Sequence, residues 1–255
     1  MNTENKNPVV TVVMPAYNCE LYIEESIRSV MAQTYKDWEL LVIDDCSTDS
    51  TRSIIQAISK EDDRIKLIEN PQNVGVAKTR NKGFELSKGD YVALLDSDDI
   101  WMPEKLEKQL SLIEKTGADL VYTSYAIVNS DRKISRSAYK VPETTSFGEL
   151  LKENVIGCST VLISSEIAKK YQFIEDYYHE DYCLWLNLLR DGYKVIGCPE
   201  VLVEWRFMSN SRSFDKRNSA VYRWKIYREY LNLPFAKSVK LFSCYFVGGI
   251  KKYYS

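Results

Sequence analysis

Asp96-Ser97-Asp98-Asp99 puts three carboxylates within four positions, directly after the apolar run Val92–Leu95. Like charges this close are costly unless something positive neutralises them. Carboxylate oxygens suit a hard divalent ion, Mg2+ or Mn2+, and such an ion can bridge them to a diphosphate. A solvated turn, with Asp98 or Asp99 capping the helix that opens near Pro103, is the plainer use of the same residues. Two other polar clusters favour the first use, because Pro15-Ala16-Tyr17-Asn18 and Asp44-Asp45-Cys46-Ser47 also follow apolar runs. A fourth group, His179-Glu180-Asp181, precedes a helical stretch carrying Leu184, Trp185, Leu188 and Leu189. His179 is the single histidine of the chain, which excludes metal sites built on several histidines.

Gathering these clusters requires a scaffold, and the first half of the chain predicts one. Val9–Met14, Trp38–Ile43, Ile65–Glu69, Tyr91–Leu95 and Asp119–Val128 read as strands. Between them, Leu21–Gln33, a segment from the caps Ser47-Thr48-Asp49-Ser50 to about Ser59, Gly75–Ser87 and Pro103–Thr116 read as helices. This alternation predicts an α/β fold, a mostly parallel central sheet flanked by helices on both faces. Ligands bind such sheets beyond the carboxyl ends of the strands. Three of the four clusters fall at those ends, so they should converge on one rim. Residues 129–145 are polar and aperiodic and read as a loop. A strand near Thr160–Ser164, a helix near Asp181–Arg190 and a strand near Val201–Phe207 follow. From about Lys216 the chain is rich in basic and aromatic residues and reads as a helical tail, suited to core packing or to an anionic membrane surface.

Composition narrows the function further. The 255 residues suffice for one large domain, and a formal net charge of -2 supplies no field to attract nucleic acid, so no nucleic-acid partner is expected. The six cysteines form no C-x-x-C pair and read as thiols in a reducing compartment. Met1–Pro8 is polar, unlike a signal peptide, and no apolar run approaches the roughly 20 residues needed to span a bilayer. A cytoplasmic location is expected. The first glycine of the chain is Gly75. A dinucleotide fold or a P-loop needs glycines just after its first strand, so both are excluded there, and a sugar-nucleotide pyrophosphorylase is disfavoured for the same reason.

Four segments in order carry a family resemblance: Val12–Asn18, Val42–Thr51, Asn73–Asn81 and Leu95–Asp99. Together they resemble the family 2 inverting glycosyltransferases, over about residues 8–210, and especially the bacterial enzymes of O-antigen, capsule and teichuronic acid type. The resemblance implies the GT-A (nucleotide-diphospho-sugar transferase) fold. Residues 1–215 would form the transferase domain, with 8–128 holding the nucleotide sugar and 129–215 the acceptor, and 216–255 the tail.

The resemblance also assigns roles. Pro15 and Tyr17 match the first-strand motif whose aromatic lies near the nucleotide base, and Asp45 matches the aspartate that accepts from uracil N3–H. Lys78 and Arg80 match the basic segment near the diphosphate. Asp96 matches the position that touches the ribose and Asp98 the metal ligand, for Mn2+ or Mg2+. Asp99 is the extra acid, in the metal shell or against the donor sugar. Asp181 matches the general base, with Glu180 and Trp185 supporting the acceptor side. Many members carry a histidine after the arginine of the later strand, whereas this chain has Arg206-Phe207-Met208, which puts an additional metal ligand in doubt. The implied partners are a UDP-sugar donor and a lipid-linked saccharide acceptor, with peripheral contact at the cytoplasmic face of the inner membrane. The implied product is a β-linkage in cell-surface polysaccharide biosynthesis. Two rivals stand beside this reading: a retaining transferase on the same fold, and a non-catalytic sugar-nucleotide-binding subunit of an assembly complex.

Overall fold

Val10–Ala16 (β1) and Trp38–Asp44 (β2) contain no exposed side chain along their length. Such runs persist only as interior strands covered on both faces. In the computed structural model, which describes residues 9–175, 179–207 and 216–254, they lie side by side in parallel, Val10 opposite Trp38 and Ala16 opposite Asp44. Helix α1 (Ile23–Met31) joins them, and α2 (Thr51–Ile58) leads to β3 (Ile65–Glu69), which pairs in parallel with β2. Helix α3 (Val76–Leu86) leads to β4 (Tyr91–Leu94), parallel to the other side of β1.

Beyond β4 the sheet becomes mixed. The chain continues through β5 (Ile100–Trp101), α4 (Lys105–Thr116), β6 (Leu120–Val128), β7 (Ile134–Tyr139), α5 (Phe147–Leu150), β8 (Leu162–Ser164), α6 (Ser165–Lys170), α7 (Glu180–Arg190) and β9 (Val195–Arg206). Strand order is β3-β2-β1-β4-β8-β6-β9-β5, with β7 paired to β6. Strand β8 runs antiparallel to β4 and β6, whereas β9 returns parallel to β6. The parallel expectation therefore holds for the first four strands and gives way to mixed pairing afterwards. Residues 129–145, expected to be a loop, contain β7, and β9 begins six residues earlier than its expected start at Val201.

The period of two sorts the core into two layers. Val12 and Met14 of β1 pack with Ile23, Ile27, Leu106 and Ile113 of α1 and α4 on one face. Val13 packs with Phe84 of α3 and Leu184, Trp185 and Leu188 of α7 on the other. The approach of α3 is close enough to need a glycine. A Cβ on Gly83 would stand 2.3 Å from Val13 Cγ1 and 3.0 Å from Ile43 Cδ1.

The tail is helical as expected: α8 (Lys216–Lys225), a π-helical turn Ile226–Tyr230, and α9 (Phe235–Tyr254). Ile226 and Tyr227 are fully buried in the second layer, and Tyr227 donates from its hydroxyl to the Leu151 carbonyl at 2.5 Å. The six cysteines are free thiols.

Candidate active site

Three strand ends meet on one edge because β1, β2 and β4 are parallel and in register, Val13 opposite both Leu41 and Leu94. The loops after β1 and β2 are laced together. Asn18 and Cys46 take left-handed backbone angles, φ 46° and 67°. Asn18 N donates to Ser47 Oγ at 3.0 Å, and Asn18 Oδ1 accepts from Thr48 N at 2.8 Å. A left-handed non-glycine residue costs on the order of 1 kcal/mol, which the inter-loop bonds offset here. Beside these loops opens a cavity of about 670 Å3. Pro15, Tyr17, Asp45, Arg80, Asp96, Asp98, Asp99, Glu180 and Asp181 all line it. Nine of the residues expected at the site are thus gathered by elements spread over more than 160 positions.

Tyr17 is 52% exposed at the mouth, with an open ring face suited to stacking on a base. Asp45 is buried. Its carboxylate accepts from Asn70 Nδ2 at 2.8 Å, Val74 N at 2.9 Å and Gly75 N at 2.8 Å. The structure therefore gives Asp45 the task of holding the loop before α3, in addition to lining the cavity. Gly75 caps α3 at φ 87°, a conformation that favours glycine and turns its N–H onto Asp45. Asp44, one residue earlier, accepts from Ser47 N and from Arg52 Nη2 at 3.0 Å and fixes its own loop.

The three acids after β4 have separate environments. Asp96 pairs with Arg80 Nη2 at 2.5 Å, and its N–H donates to Ser159 Oγ. Asp99 is buried, accepting from Ser159 Oγ and, at 2.9 Å, from the Arg206 N–H. Burial, with the charges of Asp98 and Asp96, pushes its carboxyl well above the usual range. These bonds make Asp99 a clamp on the loop. Asp98 has no side-chain donor from another residue among the described ones, and burial together with the charge of Asp96 pushes it up to about 6. A carboxylate raised in this way and open to the cavity invites a cation. Among the described residues no three His, Cys, Asp or Glu side chains converge to enclose one. The donor set therefore fits a largely hydrated ion: Asp98 would hold Mg2+ or Mn2+ as a single carboxylate ligand, and Mg2+ is usually bound by only one or two carboxylates. Met208, at the position where relatives carry histidine, lies outside the described residues.

Arg80 is 5% exposed and spans the cavity floor, pairing with Asp96 on one side and with Glu180 Oε1 at 2.8 Å on the other. Helix α7 delivers Glu180 and Asp181 in its first turn. His179 occupies the cap position and Asp181 Oδ1 accepts from Tyr182 N at 2.7 Å. Burial raises the Asp181 carboxyl above its ordinary value, with Arg80 opposing the rise.

Two expected residues are not brought to the site. Lys78 points away from the cavity and pairs with Glu175 at 2.9 Å, both half-exposed. Positions two apart on a helix lie about 200° apart, so Lys78 and Arg80 cannot face the same way. Trp185 is 0% exposed and packs edge-on to Phe173 at 6.3 Å, a core residue that no acceptor reaches. Conversely, the segment 154–160 lines one wall and was not singled out in the sequence, and neither were Tyr125, Val203 and Trp205. Ser159, just before β8 and beside the end of β4, ties Asp96 to Asp99, a contact between segments distant in sequence with no local pattern.

Comparison with known proteins decides the family. Residues 11–173 match the family model described as glycosyl transferase family 2. The chain belongs to glycosyl transferase family 2. As a family 2 glycosyltransferase it is 38% identical over 248 residues to TuaG of Bacillus subtilis, named for teichuronic acid biosynthesis, covering 97% of this chain and 98% of that one. It is 36% identical over 247 residues to WfgD of Escherichia coli, covering 96% and 95%. WfgD is a UDP-Glc:alpha-D-GlcNAc-diphosphoundecaprenol beta-1,3-glucosyltransferase. In fold it resembles S. aureus TarS 1-349 in complex with UDP, with TM-score 0.70, 22% identity, and coverage of 95% of this chain and 72% of that one. It also resembles the mannosyltransferase PcManGT of Pyrobaculum calidifontis in complex with GDP-Man and Mn2+, with TM-score 0.69, 19% identity, and coverage of 94% and 70%. These likenesses establish the GT-A fold for this family 2 enzyme.

Proposed function

We propose that this glycosyltransferase inverts the anomeric centre as it moves a hexose or N-acetylhexosamine from a UDP-linked donor to a hydroxyl of a lipid-linked saccharide, during synthesis of a cell-surface polysaccharide. The observation that carries the reading is a single cavity lined together by Tyr17, Asp45, Asp96, Asp98 and Asp181. The names of TuaG and WfgD support the polysaccharide and the lipid-linked acceptor, and TarS with UDP supports the donor.

In this reading Tyr17 stacks on uracil and Asp96 meets the ribose, while Asp98 would hold the divalent ion. When bound, that ion stabilises negative charge on the departing diphosphate. Asp181 takes the proton of the acceptor hydroxyl as its oxygen bonds to the anomeric carbon and the carbon–phosphate oxygen bond breaks on the far face. A carboxyl raised by burial is suited to accept that proton, since its basicity moves toward the working pH. Arg80 keeps the donor-side and base-side acids at a fixed separation.

An anionic membrane surface is the docking partner that goes with a lipid-linked acceptor. Helix α9 carries four lysines and no acidic residue, and it exposes Phe235 (65%) and Val239 (43%) beside Lys237 and Lys240. Apolar side chains flanked by lysines suit an interfacial helix. Among the described residues no helix is long and apolar enough to cross a membrane.

Release of UDP from UDP-sugars, with Mn2+ and a lipid-diphosphate saccharide, tests the reaction. Asp181→Asn is expected to lower kcat by about 100- to 10,000-fold, the usual contribution of a positioned base. Turnover at the parent rate would reject the assigned base, absence of any UDP release would favour a binding subunit, and an α-linked product would indicate a retaining enzyme.

A further inference from the structure

Part of the cavity lining is apolar and aromatic: Trp205 and Val203 of β9 and Tyr125 of β6 contribute to it, with Ile156 and Asn154. The parallel register pairs Tyr125 with Val203 and Ile127 with Trp205, so the two rings rise from the same side of adjacent strands. Trp205 meets Tyr125 edge-on, ring centroids 6.0 Å apart at 70°, and meets Phe207 at 5.9 Å and 60°. Tyr125 in turn stacks on Tyr139 at 5.2 Å. These contacts fix the plane of the indole and leave the side chain only partly buried.

The polar groups nearby are few. The Trp205 indole N–H has no hydrogen bond among the described residues. Asn154 uses its Oδ1 to accept from Ile156 N at 3.2 Å, and its amide nitrogen has no acceptor among those residues. The Arg206 N–H, one peptide from the indole, donates to Asp99, and Arg206 Nε donates to the Asp98 carbonyl at 2.8 Å. Trp205 is thereby seated beside the cation-binding loop. Strand β9 stands four places from β1 in the sheet, about 19 Å at the usual strand spacing. Tyr17, just after β1, and Trp205 are therefore carried by well-separated strands of the sheet.

We propose that Trp205, edged by Tyr125, is the platform of an acceptor subsite on which a pyranose ring lies face-down, with the Asn154 amide donating to an oxygen on its rim. This assignment rests on the transferase reading above. A pyranose presents C–H groups on its face and oxygens around its edge. A flat, rigid aromatic wall with a donor at the margin matches that distribution.

The test separates acceptor from donor in the full chain. UDP with Mn2+ is first used to raise the Tm of the wild type, W205A, W205F and N154A. Glucose is then transferred from UDP-glucose, with release of UDP, to a panel of hexose and N-acetylhexosamine alkyl diphosphates. W205A should raise the acceptor KM at least about 10-fold and W205F less than about 3-fold, while the UDP-induced shift in Tm stays that of the wild type. N154A should raise the acceptor KM in the same sense, and it keeps the test open if W205A does not fold. Titration of the panel should also quench indole emission of the wild type more than that of W205F. An unchanged acceptor KM in W205A and N154A, or equal quenching in wild type and W205F, overturns the platform. A wild type that UDP fails to stabilise overturns the transferase reading instead.

Discussion

Asp96 is neutralised by Arg80, Asp99 is tied to Ser159 and the Arg206 N–H, and among the described residues the Asp98 side chain has neither kind of partner. Its carboxyl accordingly rises from 3.8 to about 6 through burial and the charge of Asp96. An acid that binds protons more tightly folded than unfolded destabilises the fold once ionised. The penalty is absent below about pH 4 and complete above about pH 6, where a shift of about two units corresponds to roughly 3 kcal/mol. In EDTA, Asp98→Asn should therefore raise the unfolding free energy at pH 7.5 by up to about 3 kcal/mol, an advantage that shrinks toward pH 4. Urea unfolding at the two pH values measures it, and a variant no more stable than the parent at pH 7.5 would contradict the environment assigned to Asp98. The sequence displayed these three acids without distinguishing them. Their separation depends on Ser159, Arg206 and Arg80, which arrive from three other elements.

Helix α3 illustrates what a single element requires. Its inward face carries Ala77, Arg80 and Gly83, and the absent side chain of Gly83 lets the helix settle on Val13. Gly83→Ala should cost about 1–3 kcal/mol by overpacking, despite alanine's better helix propensity. Val13→Ala in the same chain should recover part of the loss in denaturant unfolding, and additive effects would speak against that contact. On α9 the exposed face is the testable one. Leu241 is buried, so deletion from Leu241 onward would disturb packing as well as any docking. Lys237→Glu with Lys240→Glu should release the protein from phosphatidylglycerol vesicles and leave the Tm unchanged, whereas Phe235 also packs edge-on against Trp224. Retained sedimentation with vesicles would reject the membrane face. Elements were legible in the sequence where burial imposes a period. Strands β1, β2 and β4 are predominantly apolar and almost wholly buried, whereas β7 at the sheet margin is largely exposed and Ile-Ser-Arg-Ser-Ala-Tyr shows no alternation. Strand β5 has two residues, too few for any period. The early part of β9 is interrupted by Pro199, where its register with β6 also shifts.

For the molecule as a whole, stability and ligand binding should be linked, because the cavity draws its walls from both halves of the sheet. UDP at about 100 times its Kd in Mn2+ should stabilise the chain by about 2.7 kcal/mol. For a chain of this size that corresponds to a rise in Tm of about 5–10 °C. EDTA should remove most of it if Asp98 binds through the cation, and an identical shift with EDTA would remove the metal from the donor site. The convergence of Asp45 and Asp96 followed from strand–helix alternation, whereas the place of Asp181 was implied by the family resemblance alone. The wall at 154–160 did not, because it reaches this edge as the approach to the antiparallel strand β8, which the sequence does not distinguish from a parallel one. The ion pairs of Arg80 with Asp96 and Glu180 carry a last consequence, for recombination between relatives. A chimaera joining the first half of one enzyme to the second half of another inherits its arginine from one parent and its glutamate from the other. Unless both parents place this pair alike, a hybrid that inherits the glutamate without the arginine buries a charge with no counterpart, so exchange of acceptor specificity by swapping halves favours parents that share the pair.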